Sequence, residues 1–256
     1  MKTHRIILNA DDLGISSHVN SEIFRLMESG KLTSATMMAN APAIEEAAQR
    51  VKEFPQCSFG VHMNITEFAP LTQNPQLRPI LDENGLLKKD QSARKMELSA
   101  DVKNAIFEEY CAQVEKIRSL GVPISHLDSH HHMHTHPPLF PIVKAVQKKF
   151  GIRKVRCTQN IYTEKELGGR KLHLVKKAIW NGLLRWNYAT KTTGGFTKFS
   201  TFVELAPQGA FPYTTLELML HPGHENPEYR QEILDLETDW ETSHSFKVEK
   251  ISYNDL

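Results

Sequence analysis

Residues 126 to 136 read HLDSHHHMHTH, which places six of the thirteen histidines of a 256-residue chain in eleven positions, with one carboxylate among them. Other apolar runs also end in groups that bind cations or move protons: IILNADD in Asp11 and Asp12, SFGVH in His62, and ELMLHPGH in His221 and His224. The run ISHLDSH adds Asp128 and His130. One aspartate with two imidazoles makes a borderline-hard donor set with open positions, suited to zinc as a water activator and also to iron, cobalt or manganese. Magnesium prefers more oxygen and more water but is not excluded. Such a cation lowers the pKa of bound water towards roughly 7 and polarises a carbonyl oxygen, so hydrolysis of an amide or an ester follows naturally.

Each group also has a plainer reading. Paired aspartates at a strand end often accept turn or cap hydrogen bonds, a lone His62 after an apolar strand is commonly structural, and HPGH alone reads as a turn. Their joint occurrence at four predicted strand ends outweighs these separate readings, because the carboxyl ends of parallel strands lie on one face, where residues remote in sequence converge. Adjacent aspartates on an extended segment point to opposite sides. Asp11 and Asp12 are therefore expected to divide two jobs, one at a cation and one at a proton. Within the histidine-rich stretch, His126, Asp128 and His130 share one face if the strand continues. A helix starting earlier would instead pair His130 with His134, or His132 with His136.

The elements that must position these groups alternate between short apolar runs and longer helical periods, the pattern of βα units around a parallel sheet. Strands are predicted at Arg5 to Leu8, around Thr33 to Met38, around Ser58 to Val61, in VPISHLD, in IRKVRC, in LELMLHPGH and in SFKVEKISY. Helices are predicted near Ser17 to Ser29, around Pro42 to Val51, from an N-cap at Ser99 to about Leu120, in PPLFPIVKAVQKKFG, in LHLVKKAIWNGLLRW and in PEYRQEILDLETDWE. Residues 64–95 and 163–200 read as excursions at a rim or lid, with TTGGF as a flexible segment. The expected fold class is α/β, a single-domain (β/α) barrel of about seven units spanning residues 1–256.

Composition bounds the partners. With 40% apolar residues, 24% charged and a formal net charge of +1, the chain has no field suited to nucleic acid or an anionic membrane. The opening apolar run stops at Asp11 and Asp12, too short for a signal peptide, and no segment approaches the roughly 18 apolar residues of a membrane span. A cytoplasmic location is the expectation. Cys57, Cys111 and Cys157 lack CxxC spacing and read as core residues. Trp180, Trp186 and Trp240 fall in helical stretches, where packing or a subunit contact is expected ahead of stacking on a sugar ring.

LNADDLG, GVHMNIT, HLDSHHHMH and HPG, in that order from residue 6 to about residue 224, resemble the YdjC-like carbohydrate deacetylases, the group that includes the chitooligosaccharide deacetylases. The resemblance implies a distorted (β/α) barrel related to the polysaccharide deacetylases, and removal of an N-acetyl group from a sugar or short oligosaccharide. It implies one divalent ion per chain, Mg2+ or Zn2+, held by Asp12, His62 and His130. Asp11 becomes the general base and His221 the general acid, with His126 and Asp128 orienting ligands and Arg156 holding Asp11 or touching the sugar. A homodimer is implied too, with apolar residues in 172–188 as the sequence's own candidates for contact. Two other readings stand beside it: a metal hydrolase of a non-sugar amide or O-acetyl ester, and a non-enzymatic chelator built on the histidine cluster.

Overall fold

The computed structural model describes residues 2–89, 94–169, 171–242 and 244–256. Its spine is β1 (Thr3–Leu13), in which Ile6, Ile7, Leu8 and Ala10 are all buried. A continuous apolar run of this kind is what a parallel strand covered on both faces requires. β1 pairs with β2 (Ser34–Met37) and β6 (Thr215–Leu220), and its first residues pair with β7 (Lys247–Lys250). The sheet runs β4 (Ile124–Ser129), β3 (Ser58–Met63), β2, β1, β6, β5 (Gly195–Lys198), and every pairing is parallel.

IRKVRC, expected as a strand, makes only isolated bridges, yet it joins the two edges of this curled sheet. The amide of Arg156 donates to Leu127 O at 3.0 Å on the β4 side, while that of Val155 donates to Lys191 O at 3.1 Å and that of Asn160 to Phe196 O at 3.2 Å on the β5 side. The result is a distorted barrel, as the βα alternation predicts. TTGGF is not a lid. Gly195 begins β5 and packs so closely that an added Cβ would lie 2.7 Å from Leu216 and Tyr213 side-chain atoms.

The helices follow from caps and apolar faces. α1 (Ser17–Glu28) is capped by Ser16 and buries Val19, Ile23, Phe24, Leu26 and Met27. α2 (Ile44–Arg50) precedes β3, and α3 (Ala100–Ser119) is capped by Ser99 as expected, burying Val102, Ile106, Tyr110, Val114 and Ile117. α4 (Phe140–Phe150) ends at Gly151, whose φ of 71° is the left-handed stop that favours glycine. α5 (Glu164–Leu167), α6 (Lys171–Trp186), α7 (Phe199–Leu205) and α8 (Pro227–Leu236) complete the layer. One hydrophobic cluster runs from Ile6 to Phe246 and takes in Leu77, Ile80 and Leu87 of the first excursion. Residues 90–93 and 170, within the two expected excursions, lie outside the described residues.

Candidate active site

Asp11 and Asp12 do not point to opposite sides. Between Ala10 and Leu13 the pairing of β1 with β2 slips by one residue, and Asp12 there takes a φ of 68°. Such a bulge breaks the two-residue alternation of a strand. Aspartate tolerates the left-handed region better than most residues, and strain of this kind concentrates at functional sites. Both carboxylates therefore line one cleft of about 590 Å³ at the carboxyl ends of the strands, together with His62, His130, His131, His132, His221 and His224. A cleft of about 510 Å³ near the amino ends of β3 and β4, lined by Phe54, Cys57, Phe59 and Leu120, gathers no comparable set.

Asp12 Oδ1 lies 3.3 Å from His62 Nε2 and 3.0 Å from His130 Nδ1, yet is buried without a properly directed hydrogen bond. Ligand atoms of Asp12, His62 and His130 fall within 4.8 Å of one another. Each imidazole is oriented from behind by a carboxylate: His62 Nδ1 meets Asp128 Oδ1 at 2.7 Å, and His130 Nε2 meets Glu67 Oε2 at 3.1 Å. This leaves the other ring nitrogen of each facing Asp12, the arrangement that fixes the tautomer of a metal-binding histidine. Burial works against a charged His62, but Asp128, Asp12 and Asp11 outweigh it and raise the ring to about 10. A field that holds a proton so firmly favours a divalent cation at the same point, and the donor set fits one. Asp11, His62 and Asp128 also lie close together, but Arg156 already binds both of those carboxylates.

Arg156 is fully buried. Its Nη2 donates to Asp11 Oδ1 at 2.6 Å, its Nη1 to Asp11 Oδ2 at 2.7 Å and its Nε to Glu217 Oε1 at 2.7 Å, and Nη1 also forms an ion pair with Asp128 Oδ2 at 2.8 Å. Asn9 Nδ2 adds a bond of 2.9 Å to Asp11 Oδ1. Burial alone would push Asp11 upwards, but the guanidinium beside it holds the carboxyl well below the usual carboxylate range. On the far wall the His221 ring stacks on Tyr229, with centroids 4.2 Å apart. Burial lowers the proton affinity of His221, and Asp11 and Asp12 offset this only in part. His224 Nε2 stands 3.3 Å from Asp12 Oδ2.

A family model described as YdjC-like protein matches residues 5–250. The chain belongs to the YdjC-like family. A carbohydrate deacetylase of Geobacillus stearothermophilus is 40% identical over 155 residues, a match spanning 60% of this chain and only 60% of that relative's length. A carbohydrate deacetylase of Halalkalibacterium halodurans is 31% identical over 233 residues, covering 89% of this chain and 88% of its own. A crystallised Enterococcus faecalis protein, assigned provisionally to cellobiose-phosphate cleavage, superposes with a TM-score of 0.72 at 17% identity, covering 99% of each chain. At that identity the likeness speaks for the fold alone.

In this YdjC-like chain, Asp11, Asp12, His62, His130 and His221 all line the one cleft. Asp128 stands behind His62, also accepting a 3.1 Å bond from Thr36 Oγ1. Arg156 holds Asp11 and is itself fully buried, outside the lining of the cleft. His126 is set deeper in the barrel, where its ring stacks on Tyr253 at 3.5 Å and its Nδ1 meets Ser125 Oγ at 2.7 Å. The helical spacing considered for the histidine stretch is not realised, because His131 and His132 sit at φ of 50° and 53° and break any regular helix. Among the tryptophans, Trp240 packs on Phe199, Trp180 packs on Phe140, Trp186 is exposed, and none lines the cleft. The residues that the sequence reading passed over are Glu67, Glu217, Tyr253, Arg94 and Lys198. Glu67 lay five residues after His62 in a stretch read only as rim, and Arg94 there donates to His131 O and His132 O at 2.6 and 2.9 Å.

Proposed function

We propose that this protein is a metal-dependent hydrolase that removes the N-acetyl group from an acetylated sugar or short oligosaccharide. The reading rests on the gathering of His62 and His130 around Asp12 Oδ1, which is buried without a directed hydrogen bond, with Asp11 and His221 in the same cleft. Asp12, His62 and His130 are the proposed ligands of one divalent ion, with Zn2+ and Mg2+ as the candidates. Bound there, the ion supplies Lewis acidity, making an attacking water more acidic and the acetyl carbonyl more electrophilic.

The protein's own groups do the rest. Asp11 accepts the proton of the attacking water; the paired Arg156 bonds keep it ionised and fix its direction. A carboxylate held so low is a weak base, a weakness that a divalent ion held by Asp12, His62 and His130 would offset by making the water more acidic. His221 donates a proton to the departing nitrogen, since an amine leaves poorly without one. Burial makes the protonated ring a stronger acid and at the same time reduces the share of it that is protonated at neutral pH. Residues 64–95 and 163–200 are proposed as the substrate-facing parts of one catalytic domain; Glu67, Arg94 and Lys198 of these segments line the cleft.

The test is acetate release from N-acetylglucosamine oligomers compared with hydrolysis of an O-acetyl ester. His221→Ala should lower amide hydrolysis by about 10²- to 10⁴-fold and ester hydrolysis much less, because an alkoxide leaves without prior protonation. Equal losses on both substrates would remove His221 as the acid. Glu67→Gln should weaken divalent-ion affinity by about 10- to 100-fold while leaving thermal stability nearly unchanged. An unaltered affinity, read by calorimetric titration, would release Glu67 from that role.

We also propose that two copies associate through α6. Leu172, Val175, Ile179, Leu183 and Trp186 recur at helical spacing and are all exposed, Trp186 by 81%. A contiguous apolar stripe of this kind marks an interaction surface. Ile179→Glu should turn a dimer into a monomer by light scattering, and a monomeric parent would refute the association.

A further inference from the structure

The network behind Asp11 continues past Arg156 to the opposite end of the barrel. Glu217, on β6, uses both oxygens: Oε1 accepts from Arg156 Nε at 2.7 Å and Oε2 accepts from the Tyr253 hydroxyl at 2.5 Å. All three side chains are fully buried. Building on the deacetylase reading, we propose that Tyr253 is a positioning residue for the reaction, fixing Glu217, which fixes the Nε edge of Arg156, which in turn presents Asp11.

Each group in this chain is held by its own set of contacts. The Nη edge of Arg156 faces Asp11 and Asp128, but its Nε edge meets Glu217. The angle at which the guanidinium meets Asp11 is therefore set on the side away from the cleft. Glu217 in turn shares one guanidinium with two other buried carboxylates, and burial raises its carboxyl to about 7. A hydroxyl donor at Oε2 keeps that carboxyl in place in a setting that otherwise disfavours its charge. Tyr253 is itself tightly held. Its ring stacks on His126 with an interplanar angle of 9°, its amide donates to Ser58 Oγ at 2.9 Å, and its carbonyl accepts from Lys154 Nζ at 2.5 Å. Behind that stack, a Cβ on Gly60 would lie 2.6 Å from the His126 ring. A chain of close contacts thus runs from Gly60 through His126, Tyr253, Glu217 and Arg156 to Asp11.

Tyr253→Phe removes the hydroxyl and keeps the ring stack, so it separates positioning from packing. For the metal-loaded protein acting on N-acetylglucosamine oligomers, kcat should fall about tenfold, within the range known for groups that orient a site from behind. KM should stay within about twofold, because no contact with substrate is lost. The double variant with Glu217→Gln should be no slower than Glu217→Gln alone, since both act through one chain. A readout independent of turnover is the exchange rate of the Arg156 Nε–H proton by NMR, which should rise at least about tenfold in Tyr253→Phe. An unchanged kcat and Nε–H exchange, with only thermal stability reduced, would overturn the proposal, as would effects of the two substitutions that multiply. If the parent protein releases no acetate, the deacetylase reading fails, and the Arg156 exchange rate alone then decides whether Tyr253 positions the cluster.

Discussion

Asp11→Asn is expected to lower kcat for acetate release by about 10²- to 10⁴-fold, the range for loss of a general base. The substitution keeps the shape of the side chain and leaves one oxygen to accept from Arg156, so the cleft should survive. Three carboxylates, Asp11, Asp128 and Glu217, surround one guanidinium, and removing one of their charges also relieves repulsion among them. The folding cost should therefore fall below the roughly 3–5 kcal/mol typical of a broken buried pair. Steady-state kinetics with thermal unfolding on the same samples checks both parts. Near-parent activity would show that Asp11 takes no proton in the reaction.

Arg156→Leu should have the largest effect on the fold. The substitution strands three buried carboxylates without their shared cation, for which about 3–5 kcal/mol is the expected loss at neutral pH. The sign of its pH dependence follows from Asp11. In the parent protein the guanidinium holds Asp11 below its ordinary value of 3.8, so the stabilisation is fully present above that value and is lost as pH falls through the folded one. Without Arg156, burial is opposed only by the lesser pulls of His62 and His221, so the carboxyl titrates higher than in the parent and the variant carries a penalty at neutral pH that protonation relieves. The stability gap between the two proteins should thus narrow from pH 7 to pH 5 in denaturant titrations. A constant or widening gap would mean that Arg156 does not stabilise these carboxylates.

Much of the site was legible because its residues stand where apolar runs stop. Asp11, Asp12, His62, His130 and His221 could each be placed from the end of a strand pattern alone, since parallel strands bring those ends to one face. The orientation of the aspartate pair was not legible, because it depends on a one-residue slip at Asp12 that no two-residue alternation encodes. Glu217 was hidden for a related reason. It lies inside LELML, where an interior carboxylate is tolerable only beside a cation from a distant segment, and Arg156 comes from a stretch that pairs too irregularly to form a named strand. Tyr253 gave no chemical signal at all, since its role comes from packing against His126 and bonding to Glu217. The order of the strands in the sheet, and the closure through residues 154–160, likewise rest on contacts between remote segments.

Deacetylation is proposed to depend on one ion held by Asp12, His62 and His130. Elemental analysis of purified, untagged protein, paired with acetate release from N-acetylglucosamine oligomers before and after chelation, tests it most directly. One divalent ion per chain, lost in His62→Ala, is expected, with acetate release that disappears on chelation and returns when the ion is restored. Acetate release that persists in fully chelated, metal-free protein would contradict it.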